Sequence, residues 1–177
     1  ISVNAKTQRP AVCNAMETLV LDRQMPDDWI KKILADLAQK NVELRCDSYL
    51  LDLLEDTQLE AAEAAPEDWD KEYLDLILSV KSVEGINEAV DHINRHASNP
   101  SDAIITENYS EAEQFLNEID SAAVYVNAST RFTDGYEFGL GAEIGISTER
   151  LHARGPMGLR ELTIPKYVIY GQGQIRT

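Results

Sequence analysis

Apolar positions along the chain fall into two rhythms, and their alternation predicts the architecture. Ile1-Ser2-Val3 opens strand-like, so residues 1–5 read as a short strand. Glu17-Thr18-Leu19-Val20-Leu21 is a β-type run closed by the turn signal Pro26-Asp27-Asp28. Trp29, Ile30, Ile33, Leu34 and Leu37 recur at helical spacing, with Asp27 or Asp28 available as N-cap. Val42–Cys46 alternates as a strand does, and Ser48–Leu54 fits a short helix. Residues 55–68 are acidic and alanine-rich, with Pro66 as a break, and read as a surface excursion.

The second half repeats the theme. Leu74–Val80 is a continuous apolar run, as expected of a strand covered on both faces. A helix over Gly85–His96 would turn Ile86, Ala89, Val90 and Ile93 inward. Ala103–Thr106 is the next strand. Ser110–Ile119 is a helix with Ala112, Phe115, Leu116 and Ile119 on one stripe, and Ala122–Val126 is another buried strand. Strands alternating with helices of about ten residues mean βαβ units, hence an α/β fold with a largely parallel sheet and flanking helices.

Beyond Asn127 the periodicity stops. Residues 128–160 carry glycines at 135, 139, 141, 145, 155 and 158, and a loop of this length inside a compact domain is usually functional. It follows the carboxyl end of a buried strand, where parallel sheets bind their ligands. Tyr167-Val168-Ile169-Tyr170 closes the chain as a strand with one apolar side, suited to pairing with a sheet outside this core.

Composition narrows the class. At 177 residues the chain is long enough for one domain with a real core. A formal net charge of −15 speaks against a nucleic-acid partner, which needs clustered Lys and Arg. No stretch approaches a membrane span or a signal peptide, and two cysteines without a pairing pattern suit a reducing compartment, the cytoplasm by default. The chain opens without an initiator Met, as an excised domain or a processed terminus does.

The candidate chemistry centres on Cys13. Pro10 suits the first turn of a helix, and a helix starting at Pro10 or Ala11 would place Cys13 where unpaired N–H groups and the helix dipole favour a thiolate. Lys6 and Arg9 would add positive potential; a buried, inert cysteine is the bland alternative. Ser129, Thr130, Arg131, Thr133, His152 and Arg154 stand in the glycine-rich loop, and the planar fork of Arg131 matches a carboxylate or phosphate. His92 and His96 lie four apart on a helix but lack a carboxylate–histidine motif, so no metal is expected. Gly139-Leu140-Gly141 is no dinucleotide fingerprint, and there is no P-loop.

Three long stretches resemble one family. Asn4-Ala5-Lys6-Thr7-Gln8-Arg9-Pro10-Ala11-Val12-Cys13-Asn14-Ala15-Met16-Glu17-Thr18-Leu19 is similar to the catalytic-cysteine segment of the γ-glutamyl phosphate reductases, also called glutamate-5-semialdehyde dehydrogenases, within the aldehyde dehydrogenase superfamily. The stretches 126–148 (with Val126-Asn127-Ala128-Ser129-Thr130-Arg131-Phe132-Thr133-Asp134-Gly135) and 152–159 complete the pattern in order.

The resemblance implies NADPH-dependent reduction of γ-glutamyl 5-phosphate to glutamate 5-semialdehyde in proline biosynthesis. Cys13 would displace phosphate to form a thioester, and hydride from NADPH would reduce it to a thiohemiacetal that collapses to the aldehyde. Asn127, Ser129, Thr130 and Arg131 would bind substrate, with Arg131 on either the glutamyl end or the phosphate. Glu72 aligns with the glutamate that contacts the nicotinamide ribose, although Glu72-Tyr73-Leu74 departs from the usual Glu-x-Phe-Gly-Pro. The same resemblance implies a catalytic domain over 1–160, an oligomerisation strand over 161–177, a homo-oligomer when complete, and a coenzyme-binding domain not included in this chain. Asn99-Pro100-Ser101 stands where relatives usually show Gly-His-Ser. The rival readings are an inactive fragment that binds a partner and another acylating aldehyde dehydrogenase.

Overall fold

The computed structural model describes all 177 residues. Its main sheet has four parallel strands in the order β1-β4-β2-β3: β1 (Thr18–Asp22), β2 (Glu43–Cys46), β3 (Ala62–Glu63) and β4 (Ile77–Val83). The central β4 pairs with β1 from Thr18↔Ser79 to Asp22↔Val83 and with β2 from Glu43↔Ile77 to Cys46↔Val80. Neighbours cover both its edges and helices its faces, but the strand is not apolar throughout: Ser79 and Ser82 are buried in it, their hydroxyls donating to the Asp68 carbonyl and to Asp47 Oδ2.

Helix α2 (Asp27–Ala38) buries Ile30, Leu34 and Leu37, the i, i+4, i+7 stripe expected of an amphipathic helix. Asp27 and Asp28 lie inside its first turn, where they complement the dipole, and Pro26 takes the N-cap position instead. Trp29 is off the stripe and 67% exposed, so it does not face inward as its spacing suggested. Helix α3 (Ser48–Leu54) is capped by Asp47, whose Oδ1 accepts from Leu50 N at 3.1 Å. The other oxygen of Asp47 accepts from both Ser82 N and Ser82 Oγ at 2.7 Å, pinning the helix start to β4.

The second lobe is smaller. Helices α4 (Ile86–His96) and α5 (Tyr109–Glu118) flank the parallel pair β5 (Ser101–Ile104) and β6 (Ala123–Val126). These strands are only half-buried along their length, and Leu116 is 41% exposed, so this lobe hides less apolar surface than its sequence suggested. Asn99 holds φ 63, the left-handed conformation in which Asn is the usual substitute for Gly. Its carbonyl accepts from Ala122 N at 3.0 Å, which fastens the turn into β5 to the segment before β6. The short antiparallel pair β7 (Gly145–Ser147) and β8 (Gly155–Met157) folds the glycine-rich segment onto itself.

Several expectations fail locally. Residues 1–5 form no strand: Ser2–Thr7 is a helix, α1, because turning puts Ala5 and Lys6 inward and lets Thr7 Oγ1 donate to the Val3 carbonyl at 2.7 Å. Residues 55–68 are not wholly a surface excursion. They contribute β3, and Asp68, inside a 3₁₀ turn, is buried against Arg45, Tyr73 and the Ala65 N–H. Residues 167–170 form no strand here, and no hydrogen bond joins residues 164–177 to the rest of the chain. No helix is long and apolar enough to cross a membrane.

Candidate active site

Cys13 lies in a tight turn closed by the Ala15 N–H on the Val12 carbonyl, not in a helix. α1 stops at Thr7, and residues 8–16 run as turns and bends with Pro10 just beyond the helix end, where proline blocks its continuation. No helix dipole therefore supports the thiolate. The residue reaches solvent, yet enough protein surrounds the sulfur that desolvation raises the thiol pKa. Its own backbone N–H opposes that rise, the charges of Glu143 and Glu72 add to it, and Arg131 opposes it. Lys6 adds no free positive charge. It is completely buried and its Nζ bonds Glu17 Oε2 at 2.7 Å.

Two long-range hydrogen bonds hold the Cys13 turn against the loop after β6. Asn14 Nδ2 donates to the Thr133 carbonyl at 2.7 Å, and Thr130 Oγ1 donates to the Asn14 carbonyl at 2.8 Å. Thr133 is in turn fixed by a 2.7 Å hydrogen bond between its Oγ1 and Tyr125 OH. Sequence reasoning did not find Asn14 or Thr133 in this role. Their partnership spans 119 residues and leaves no local pattern.

The proposed binding residues divide into two groups. Ser129 is buried and its Oγ accepts from Arg131 N at 3.3 Å, capping the 3₁₀ turn Thr130–Phe132. Thr130 is spent on Asn14. Asn127 sits at φ 56, its Oδ1 accepting from Thr106 N at 3.0 Å and its Nδ2 donating to Thr106 O at 2.8 Å. These three side chains shape the loop. Arg131 alone keeps its terminal amino groups uncommitted, with Nε donating to Gln8 Oε1 at 2.7 Å. A cavity of about 290 Å³ opens beside it, lined by Asn4, Gln8, Arg131, Phe132, Asp134 and Glu137.

Glu72 is exposed and its charge is felt at Cys13. The Leu74 N–H two residues on donates to Glu17 Oε1 at 3.3 Å, so the Lys6–Glu17 pair also tethers the segment that carries Glu72. His152 is exposed, and Arg154 is engaged with the Asp120 carboxylate and carbonyl, both at 2.7 Å, so neither converges on the thiol through a bond. His92 packs edge-on against Trp69, while His96 bonds Asp70 at 2.8 Å.

No protein-family model matches the chain. The γ-glutamyl phosphate reductase of Clostridium botulinum (strain Alaska E43 / Type E3) is 58% identical over 176 residues, which cover 99% of this chain and 42% of that protein. The crystal structure of the γ-glutamyl phosphate reductase of Thermotoga maritima matches with a TM-score of 0.92 and 48% identity, over 100% of this chain and 42% of that one. Along its whole length the chain is similar to γ-glutamyl phosphate reductases. It spans 42% of the length of the relatives it matches. Aldehyde dehydrogenase 21 of Physcomitrella patens shares the fold at a TM-score of 0.53 and 14% identity, with 73% of this chain and 34% of that one covered. The architecture is therefore the aldehyde dehydrogenase-like α/β fold.

Proposed function

We propose that the protein carrying this chain reduces γ-glutamyl phosphate to glutamate 5-semialdehyde with release of phosphate, and that Cys13 is the nucleophile. The observation that carries the reading is an accessible thiol on a turn fastened, through Asn14, to the loop that bears an uncommitted arginine. An acyl phosphate is already activated, so sulfur attack on its carbonyl carbon and departure of phosphate leave a thioester without metal or ATP. Arg131 lowers the cost of the thiolate and anchors an anionic part of the substrate, while Ser129, Thr130 and Asn127 hold its loop in shape.

The chain fits one end of a nicotinamide coenzyme. Glu72 has no hydrogen-bond partner of its own and stands within electrostatic reach of Cys13, as an acceptor for ribose hydroxyls should. Gly139 and Gly141, at φ 74 and 72, lie in a loop rather than between a strand and a helix and offer no pyrophosphate cradle. We assign the rest of NADPH to residues outside these 177. When bound, the coenzyme supplies the hydride that reduces the acyl group. Residues 1–160 serve as the catalytic domain and 161–177 as an oligomerisation segment that becomes a strand on a neighbouring sheet. Two unpaired cysteines suit the cytoplasm.

The test is turnover by the purified full-length protein, assayed as phosphate-dependent oxidation of glutamate 5-semialdehyde with NADP. Cys13→Ser should lower kcat by at least a thousandfold. Retention of a tenth of the activity by that variant would overturn the assignment of Cys13.

A further inference from the structure

We propose that the cavity between Arg131 and Asp134 receives the amino-acid end of the substrate, with the α-carboxylate on Arg131 and the α-ammonium on Asp134. The inference rests on the reading above that the substrate is a γ-glutamyl acyl phosphate, and it decides which end of that molecule Arg131 holds.

The charges lining the cavity point this way. Arg131 is fixed by the 2.7 Å bond from its Nε to Gln8, which leaves both terminal amino groups as a planar fork. Asp134 is fixed by a turn in which its Oδ1 accepts from Tyr136 N at 2.8 Å and Glu137 N at 3.3 Å, which leaves Oδ2 without a partner. Fork and carboxylate line the same polar cavity of about 290 Å³, yet no ion pair joins them. A cation and an anion held apart in one cavity are complementary to a ligand that carries both charges in reverse, and a zwitterionic α-carbon does so.

A phosphate suits this place poorly. Glu137 lines the cavity as a second acid, so two carboxylates face one guanidinium, and a group carrying nearly two negative charges would be repelled. A singly charged carboxylate accompanied by an ammonium is not. The amides of Asn4 and Gln8 supply neutral partners for the remaining lone pairs and protons. The size is at the lower end of small-ligand sites, suited to the head of an amino acid rather than to a whole coenzyme. Two methylene groups then separate the α-carbon from the acyl carbon that Cys13 attacks, and Arg131 is close enough to influence that thiol.

Inhibition of the full-length enzyme by three probes tests this: L-glutamate, glutarate (which lacks the ammonium) and 4-aminobutyrate (which lacks the α-carboxylate). The wild type should bind L-glutamate at least tenfold more tightly than either analogue, as expected for hydrogen bonds between charged groups. Asp134→Asn keeps an oxygen for the turn but removes the charge. It should abolish the preference over glutarate while leaving the glutarate constant within twofold. Arg131→Lys should erase most of the preference over 4-aminobutyrate. Equal weakening of L-glutamate and glutarate in Asp134→Asn, at an unchanged melting temperature, would overturn the proposal, as would a wild type that does not distinguish them. Failure of the wild type to turn over γ-glutamyl phosphate would sink the functional reading, whereas turnover without any preference for L-glutamate would sink this inference alone.

Discussion

Asn14 Nδ2 donates to the Thr133 carbonyl at 2.7 Å, so the residue beside Cys13 is tied to the loop of Arg131. Asn14 is buried, and its Oδ1 has no partner. Asn14→Ala should cost about 1–3 kcal/mol in urea unfolding, the penalty for stranding a buried carbonyl. Asn14→Asp should fare no better, because a carboxylate oxygen would then face the Thr133 carbonyl. A kcat reduced more than stability predicts would mark Asn14 as a positioning residue for Cys13.

The two thiols should label in a fixed order. Cys46 is fully buried, and burial, with Asp47 adding to it, pushes its thiol up to about 12, whereas Cys13 reaches solvent. Limited iodoacetamide treatment at neutral pH followed by peptide mapping should find Cys13 modified well before Cys46. Because the Cys13 pKa is raised, its labelling should accelerate as pH rises above neutrality. Glu143→Gln should speed it at fixed pH and Arg131→Gln should slow it, since the first removes a charge that opposes the thiolate and the second one that favours it.

Stability should fall in mildly acidic solution through His92. Burial lowers its pKa from 6.5 to about 4, with His96, Lys81 and Arg95 adding to the effect and Glu88 opposing it. The unfolded chain therefore binds a proton that the folded chain refuses between those values. The contribution is intact above about pH 6.5 and is lost as pH falls toward 4, amounting to on the order of 1–2 kcal/mol after solvent screening. His92→Gln should flatten that part of the urea-midpoint profile; an unchanged slope would show that other groups set it.

The Lys6–Glu17 pair should be costly to break and cheap to replace. Burial lowers the Lys6 pKa and raises that of Glu17 despite their 2.7 Å contact, so desolvation outweighs their attraction. Lys6→Met should destabilise by about 2–4 kcal/mol by leaving Glu17 unpaired, and Lys6→Met with Glu17→Leu should recover most of it. A double variant as unstable as the single would mean that the Glu17 bond to Leu74 N carries the cost.

Much of the fold is written in local pattern. The strand β4, the stripe of α2 and the helix α5 follow from local pattern, with boundaries shifted by a few residues. The misses have physical causes. Ile1 and Val3 suit a strand or a helix equally, and burial of Lys6 decided between them. Pro10 is compatible with a helix start and with the stretch after a helix end, so sequence placed Cys13 in the wrong surroundings. Asp68 looked solvated by composition, but its burial depends on Arg45, 23 residues away. Of the candidate site, the sequence singled out Cys13 and Arg131, but the Asn14–Thr133 bond between their loops leaves no local pattern.

The two lobes hide very different amounts of apolar surface. Eleven buried residues form the core beneath the main sheet, whereas only Val90, Phe115 and Ile119 are buried in the other, with Ile86, Ile93, Ile104 and Val124 half-buried around them. Local opening takes place where the least apolar area must be re-exposed. Amide protons of β5, β6 and α5 should therefore exchange with deuterium through partial opening, long before those of β2 and β4. The loop of Arg131 hangs from that softer lobe while Cys13 hangs from the harder one. The candidate site is thus a seam between two units of unequal protection, and a ligand bridging it should slow exchange chiefly on the Arg131 side.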